Sequence, residues 1–225
     1  KVGIGGFMHQ YEDFLRQNAL GNFRDLLIGI TKDQAMLVFL DNNSNSGTAL
    51  DDNNKKIPPN ENYAREFMQL FALGTNKLNM DGSVQKDSKG APLPTYSEKD
   101  VKEVARALTG WYVDTRVGKR SKFTAELHDA DKKTILGVTI NGRHGPSGAQ
   151  EVADVVDILM RQPTMAPFIS KILIQKLATE TPSGGYVERV ARVFQQSGGS
   201  IRSTVRAILT DQEFFSSSVV RTQYK

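Results

Sequence analysis

Cysteine is absent from the 225 residues. That removes disulfides, thiol nucleophiles and cysteine-based zinc sites together. Histidine occurs three times, at His9, His128 and His144, without the spacing of a metal motif such as H-E-x-x-H. There is no G-x-S-x-G, phosphate loop or dinucleotide fingerprint, so the enzyme classes built on them lose their basis. No apolar run approaches the roughly 18 residues of a membrane-spanning helix. The chain opens at Lys1 with no charged-then-apolar leader, a start that fits a mature secreted product or a piece of a longer protein.

What is present is ordinary for a globular protein: 39% apolar and 24% charged residues, with a net charge of +4. The charge is uneven, about −2 over residues 1–100 and +6 over 101–225. The basic residues of the second part fall on predicted helix faces, interleaved with acids and without an aromatic ladder. This reads as a solvated surface, so no nucleic-acid partner is expected.

Helical periodicity dominates. Phe7, Tyr11, Phe14 and Leu15 make a core-facing stripe over 7–18, and one or two helices follow in NFRDLLIGITKDQAMLVFL. The segment DNNSNSGTALDDNNKKIPP is built almost wholly of turn formers, and a loop that long inside a domain is usually functional or disordered. Residues 75–96 form a second irregular stretch with a DG turn. Ser97 and Asp100 then open a helix in the S-x-x-[DE] pattern, with Val101, Val104, Ala105 and Leu108 inward and Gly110 at its end. Residues 111–146 alternate as short strands do, and Ile135 to Asn141-Gly142 reads as a hairpin arm. Helices return over 149–161, after Pro163 (with Phe168, Ile169, Ile172, Leu173 and Leu177 inward), over 184–197 and over 200–215. The expected fold is mainly α: an irregular multi-helix bundle with a small β-hairpin insertion at about 111–146 and long loops, in one helical domain over 1–225.

Two constellations carry chemistry. In PNENYAREFMQLFALG, Tyr63, Ala64, Phe67, Leu70 and Phe71 share one helix face, and Glu61, Asn62, Arg65, Glu66 and Gln69 share the other. Asn60 is a good N-cap and Glu61 suits the first turn, so a well-capped amphipathic helix accounts for most of this. The polar face has no lysine, however, and stands between two long loops. Glu61 and Glu66 project about 140° apart at helical spacing, so paired-carboxylate chemistry needs an acid from elsewhere. In HDADKKTILG, His128 and Asp129 adjoin in a predicted loop near Lys132 and Lys133. Such a pair serves as acid and base, as metal ligands, or as surface and capping groups. Trp111 reads as a core anchor or as a stacking platform at a site edge.

Together LRQNALGNFRDLL, KDQAMLVFLDN, PNENYAREFMQLFALG, YSEKDVKEVARALTGW, HDADKKTILG, ILMRQPTMAPFISKIL and IRSTVRAILTDQEF resemble the bacterial domain of unknown function 1800 family across nearly the whole chain. Phe67 stands where the family often has Leu, and 75–96 is longer than the usual link. The resemblance implies the central and C-terminal part of a longer exported protein, secreted or periplasmic, with no established activity. It also implies a family often encoded beside a sulfatase-like protein, a candidate partner.

Carried over by the same resemblance, the candidate catalytic residues are Glu61, Glu66, His128 and Asp129. The candidate binding residues from the resemblance are Asn62, Arg65 and Lys133, with Asn60 beside them, and Trp111 joins them on its own reading as a stacking platform. Two hypotheses follow. In the first, Glu61 or Glu66 meets His128 and Asp129 across an open pocket in a hydrolase-like site. There a divalent metal on His128 and Asp129 is one form the chemistry could take, and Arg65 or Lys133 steadies negative charge. In the second, the chain is a non-enzymatic binding module, and these residues are a polar network pinning long loops to the helix. Cofactor, substrate and oligomeric state are left open by these residues.

Overall fold

The computed structural model describes residues 5–43, 45–114, 120–216 and Val219. It is mainly α-helical, and its strands are confined to two small antiparallel pairs among the described residues. The chain groups into two compact units.

The first unit takes Lys1–Gln17, Asp25–Phe71 and Tyr96–Ile158. Its helices include α1 (Gly5–Asn18), α2 (Phe23–Lys32) and α3 (Gln34–Phe39). The NFRDLLIGITKDQAMLVFL stretch is thus two helices. Asp33 divides them because its carboxylate accepts from Ala35 N and Met36 N, capping α3. Helix α4 (Asn62–Glu66) runs on as a π-helix over Phe67–Ala72. Helix α5 (Glu98–Ala107) begins with the expected capping box between Ser97 and Asp100. It buries Val101, Val104, Ala105 and Leu108 and stops at Gly110, whose φ of +90° favours glycine.

The region 111–146 carries both strand pairs. Strands β1 (Trp111–Tyr112) and β2 (Lys122–Phe123) pair Trp111 with Phe123, and β3 (Lys133–Ile135) and β4 (Val138–Ile140) pair Ile135 with Val138. The hairpin turn falls at Leu136–Gly137, both at positive φ, rather than at Asn141-Gly142. A 3₁₀ stretch (Gly145–Gln150) leads into α6 (Glu151–Met160), which buries Val152, Val155 and Val156.

The π winding corrects the expected face of the PNENYARE helix. Tyr63, Ala64 and Phe67 are buried as the 100° spacing requires, but Leu70 is 56% exposed and Phe71 is half-buried. Met68, Ala72 and Leu73 are inward instead. A π turn takes in more residues than an α turn, so positions after Phe67 slip around the axis relative to an α-helical count. The cap differs too. Glu61 holds the N-cap position without a side-chain bond, while Asn60 Oδ1 accepts from Asn62 N at 2.9 Å, an Asx turn leading into the helix.

The second unit takes Asn18–Arg24, Ala72–Thr95 and Leu159–Lys225. Here α7 (Met165–Leu177), α8 (Gly184–Gln196) and α9 (Ile201–Thr210) pack together around Ile174, Tyr186, Val187, Val190 and Ile208. Tyr186 is buried but not unpartnered, since its hydroxyl donates to Ile208 O at 2.7 Å. Leu177, expected inside, is 44% exposed, and Ile174 and Ala178 are the buried residues of that end. The stretch 75–95 is irregular as expected, held by isolated bridges such as Asn76–Pro94 and Leu78–Val84.

Candidate functional site

All the chemistry-bearing candidates lie in the first unit. The HD loop is closed by α5, β3 and α6. Both Asp129 oxygens accept from Arg106, Oδ2 from Nε and Oδ1 from Nη2, each at 2.9 Å. Oδ2 also takes Lys56 Nζ at 3.2 Å, and Oδ1 takes Asp131 N at 3.1 Å. Burial by itself would raise the Asp129 pKa, but the Arg106 guanidinium brings it down to about 2. The side chain is 1% exposed. Arg106 in turn holds Glu103 Oε1 at 2.9 Å, and Glu103 Oε2 accepts from Thr134 N at 2.8 Å, which fastens α5 to β3.

His128 is as deeply placed. Its Nδ1 lies 3.1 Å from Thr109 O and 3.2 Å from Thr109 Oγ1. The Thr109 hydroxyl already donates to Arg106 O at 2.7 Å and accepts from Asp129 N at 2.8 Å. Its proton is therefore taken, and the hydrogen of the His128 contact sits on Nδ1, aimed at Thr109 O. The other ring nitrogen lies 3.4 Å from Glu151 Oε1. Phe123 stands edge-to-face against the ring with centroids 5.2 Å apart.

Lys133 is fully buried, and its ammonium is answered on every side. It pairs with Glu151 Oε2 at 2.8 Å and donates to Asp131 O at 2.9 Å and to Asp129 O. Glu151, also fully buried, accepts from Arg143 N at 3.1 Å. Burial would raise the Glu151 carboxyl, but His128 and Lys133 outweigh that and hold its pKa below the ordinary value. Burying these ions is costly, and only this degree of pairing makes it tolerable. Among the described residues no three His, Asp or Glu side chains gather as a metal-holding group, and the Asp129 carboxylate that such a group would use is engaged by Arg106.

The PNENYARE helix forms a separate polar group. Arg65 donates to both Glu98 oxygens at 2.8 Å and reaches Glu61 Oε2 at 3.3 Å, so its partners are Glu98 and Glu61. The side chains of Asn62 and Glu66, one turn apart, make no hydrogen bond with each other. Asn62 Nδ2 donates to Leu40 O at 2.9 Å instead, and Glu66 makes no hydrogen bond or ion pair among the described residues. Neither Glu61 nor Glu66 bonds to His128 or Asp129. Trp111 is 8% exposed, set against Phe123, with Lys32 Nζ over its ring.

The asparagine-rich loop between α3 and α4 joins the two groups. Asn42 and Asn45 are buried, and their amides donate to Leu108 O (3.1 Å) and Ala105 O (3.3 Å). These are carbonyls at the end of α5 that the helix itself leaves without partners. Asn45 Oδ1 accepts from Asn60 N at 2.9 Å, tying the loop to the start of the PNENYARE segment. On its other side Gly47 N donates to Leu127 O at 2.8 Å. A side chain at Gly47 would put Cβ 2.4 Å from Asp129 Cβ, so only glycine passes there. Arg106, Glu103, Thr109, Glu151, Asn42, Asn45 and Lys56 are all members of the assembly that sequence reasoning missed. The ARALTGW motif already contained Arg106 and Thr109, but nothing in periodicity marks an arginine on an otherwise polar helix stripe as the partner of an acid 23 residues on.

The whole chain fits one pattern of sequence. Residues 2–225 match the family described as Protein of unknown function (DUF1800). The chain belongs to this family. No curated protein and no solved structure matches it. In this DUF1800 chain His128, Asp129 and Lys133 of the residues singled out by the family resemblance lie in the buried network, and Arg65 and Glu61 stand at the half-exposed entrance of α4.

Proposed function

We propose that this DUF1800 chain acts as an exported, non-enzymatic binding module, in which the NENYARE helix and the HD loop form an internal polar frame. What supports this is the enclosure of the ionic cluster. The side chains of His128, Asp129, Lys133 and Glu151 are 0–1% exposed and held by ion pairs among themselves, by Arg106 and by backbone groups, with His128 Nε2 and Glu151 Oε2 within ion-pair distance of Glu151 and Lys133 but in no hydrogen bond among the described residues. A group that must take a proton from a substrate needs a path to it, and these have protein on every side. The frame holds loop 41–60 in one shape, which leaves loop surfaces such as Leu50 (56% exposed) and Ile57 (43% exposed) to face a partner of the sulfatase-like kind. Co-expression of the chain with a sulfatase-like protein encoded beside a family member, followed by gel filtration from a periplasmic extract, tests this. One shared peak, lost on Leu50→Lys with Ile57→Lys, is expected; two separate peaks overturn the partner.

A hydrolase-like reading keeps one observation in its favour, the half-buried Glu66 carboxylate without a hydrogen bond or ion pair among the described residues. Glu66→Gln separates the two. The module reading expects an unchanged melting temperature and unchanged partner binding; a folded variant that loses a measurable hydrolysis makes Glu66 an acid or base.

A further inference from the structure

A cavity of about 420 Å³ in the first unit lies at the end of α2, lined by Gln10, Asp13, Lys32, Asp33, Gln34 and Arg120 among others. It contains two acids and two cations, but they are not equally matched. Asp33 Oδ1 accepts from Ala35 N at 2.8 Å and Met36 N at 3.3 Å, capping α3. Asp13 stands 3.4 Å from His9 Nε2 and 3.9 Å from Arg16 Nη1. The Gln10 and Gln34 amides bond to each other.

The cations have no such partners. Neither Lys32 Nζ nor the Arg120 guanidinium makes a hydrogen bond or ion pair with another described residue. The residues outside the described set, 1–4, 44, 115–119, 217–218 and 220–225, include no Asp or Glu side chain that could supply one. Lys32 Nζ instead rests 5.3 Å from the ring centroid of Trp111. The Trp111 indole N–H is itself buried without an acceptor among the described residues. Burial pushes the Lys32 ammonium below its ordinary pKa, the mark of a cation partly stripped of water with no anion to compensate. The formal charges of this corner balance, but its donors outnumber their acceptors, since Lys32, Arg120 and the Trp111 N–H are all left without one among the described residues.

We propose that this cleft binds a small ligand through an oxyanion, a carboxylate or a phosphate, gripped by Lys32 and Arg120. Arg120 offers the planar fork that suits either group, Lys32 the point charge, and the glutamine amides the neutral hydrogen bonds around them. The cleft uses none of the residues on which the binding-module reading rests, so each can fail without the other.

Trp111 is the sole tryptophan, which makes its emission a direct reporter of what happens at Lys32. The full chain is titrated with inorganic phosphate and, separately, with malonate, against sodium chloride of equal ionic strength to remove screening effects. A saturable change in Trp111 emission with one of them is expected, and the anion that saturates at the lower concentration identifies the group. Lys32→Gln should abolish the response and Arg120→Gln weaken affinity roughly tenfold, as loss of a charge-assisted contact does. The Arg120→Gln arm decides the matter even if Lys32→Gln proves unstable, because Arg120 is exposed. A response no different from sodium chloride, or one that Arg120→Gln leaves untouched, overturns the site.

Discussion

Arg106 and Asp129, 23 residues apart in the chain, meet as a bidentate pair with both N–O distances at 2.9 Å. The pair joins the last turn of α5 to the HD loop, and Lys56 and Glu103 extend it in two directions. The aspartate is a clamp on the helix, and the histidine beside it is packed between Thr109 and Glu151.

Removing one partner of a buried pair leaves the other uncompensated. Asp129→Ala should cost about 3–5 kcal/mol, read as a large fall in urea midpoint with little change in slope. Arg106→Lys keeps the charge but loses the fork, and should cost less than Asp129→Ala and more than a typical surface change.

Acid should weaken the fold through the same group. With a folded-state pKa of about 2, Asp129 has a value below that of an unfolded aspartate. Its stabilisation is complete above the unfolded value and disappears as pH falls through the folded one, between about pH 5 and pH 2. Glu151, also lowered, adds to the loss in the same direction. Chemical denaturation at a series of pH values should show a steep decline in this window, and Asp129→Asn should be less stable at neutral pH with a shallower decline.

Lys133 and Glu151 should be strongly coupled. Glu151→Leu alone strands a fully buried ammonium, and Lys133→Met alone strands a buried carboxylate. The double variant removes both ions and should recover a large part of the stability lost by either, a coupling of at least about 1 kcal/mol in a double-mutant cycle. Additive losses would mean that the pair contributes nothing as a pair.

The π winding after Glu66 gives opposite expectations to an α-helical count at two positions. Met68→Ala, at a fully buried site, should cost about 2–5 kcal/mol. Leu70→Lys, at a site 56% exposed, should stay within about 0.5 kcal/mol of the parent. Thermal melts of the two variants check both; the reverse order would mean a regular α-helix.

Gly47 tests the loop. A Cβ there would lie 2.4 Å from Asp129 Cβ and 2.5 Å from its backbone nitrogen. Backbone cannot yield as the end of a flexible side chain does, so Gly47→Ala should cost about 1–3 kcal/mol through overpacking. Gly90→Ala is a less clean comparison, since Gly90 also has positive φ; Gly5→Ala, with nothing within 4 Å, is the proper control and should be neutral.

The sequence by itself determined the helices, the capping box at Ser97 and Asp100, the strand region and most of the inward residues. These are local matters: a 3.6-residue period, a side chain reaching its own helix start, alternation along a strand. It also marked DNNSNSG as a loop from turn formers, yet it could not distinguish a solvated loop from one whose asparagines bind the end of α5. The tertiary structure alone decided that Asn42 and Asn45 are buried, that Asp129 belongs to Arg106, and that Lys133 and Glu151, both fully buried, pair with each other. Charge pairing acts between side chains close in space whatever their separation in the chain, and a charged residue looks the same in sequence whether it meets water or a counter-ion. The direction of Leu70 was likewise set above the local level, because one change in helical winding at Phe67 turns every later side chain.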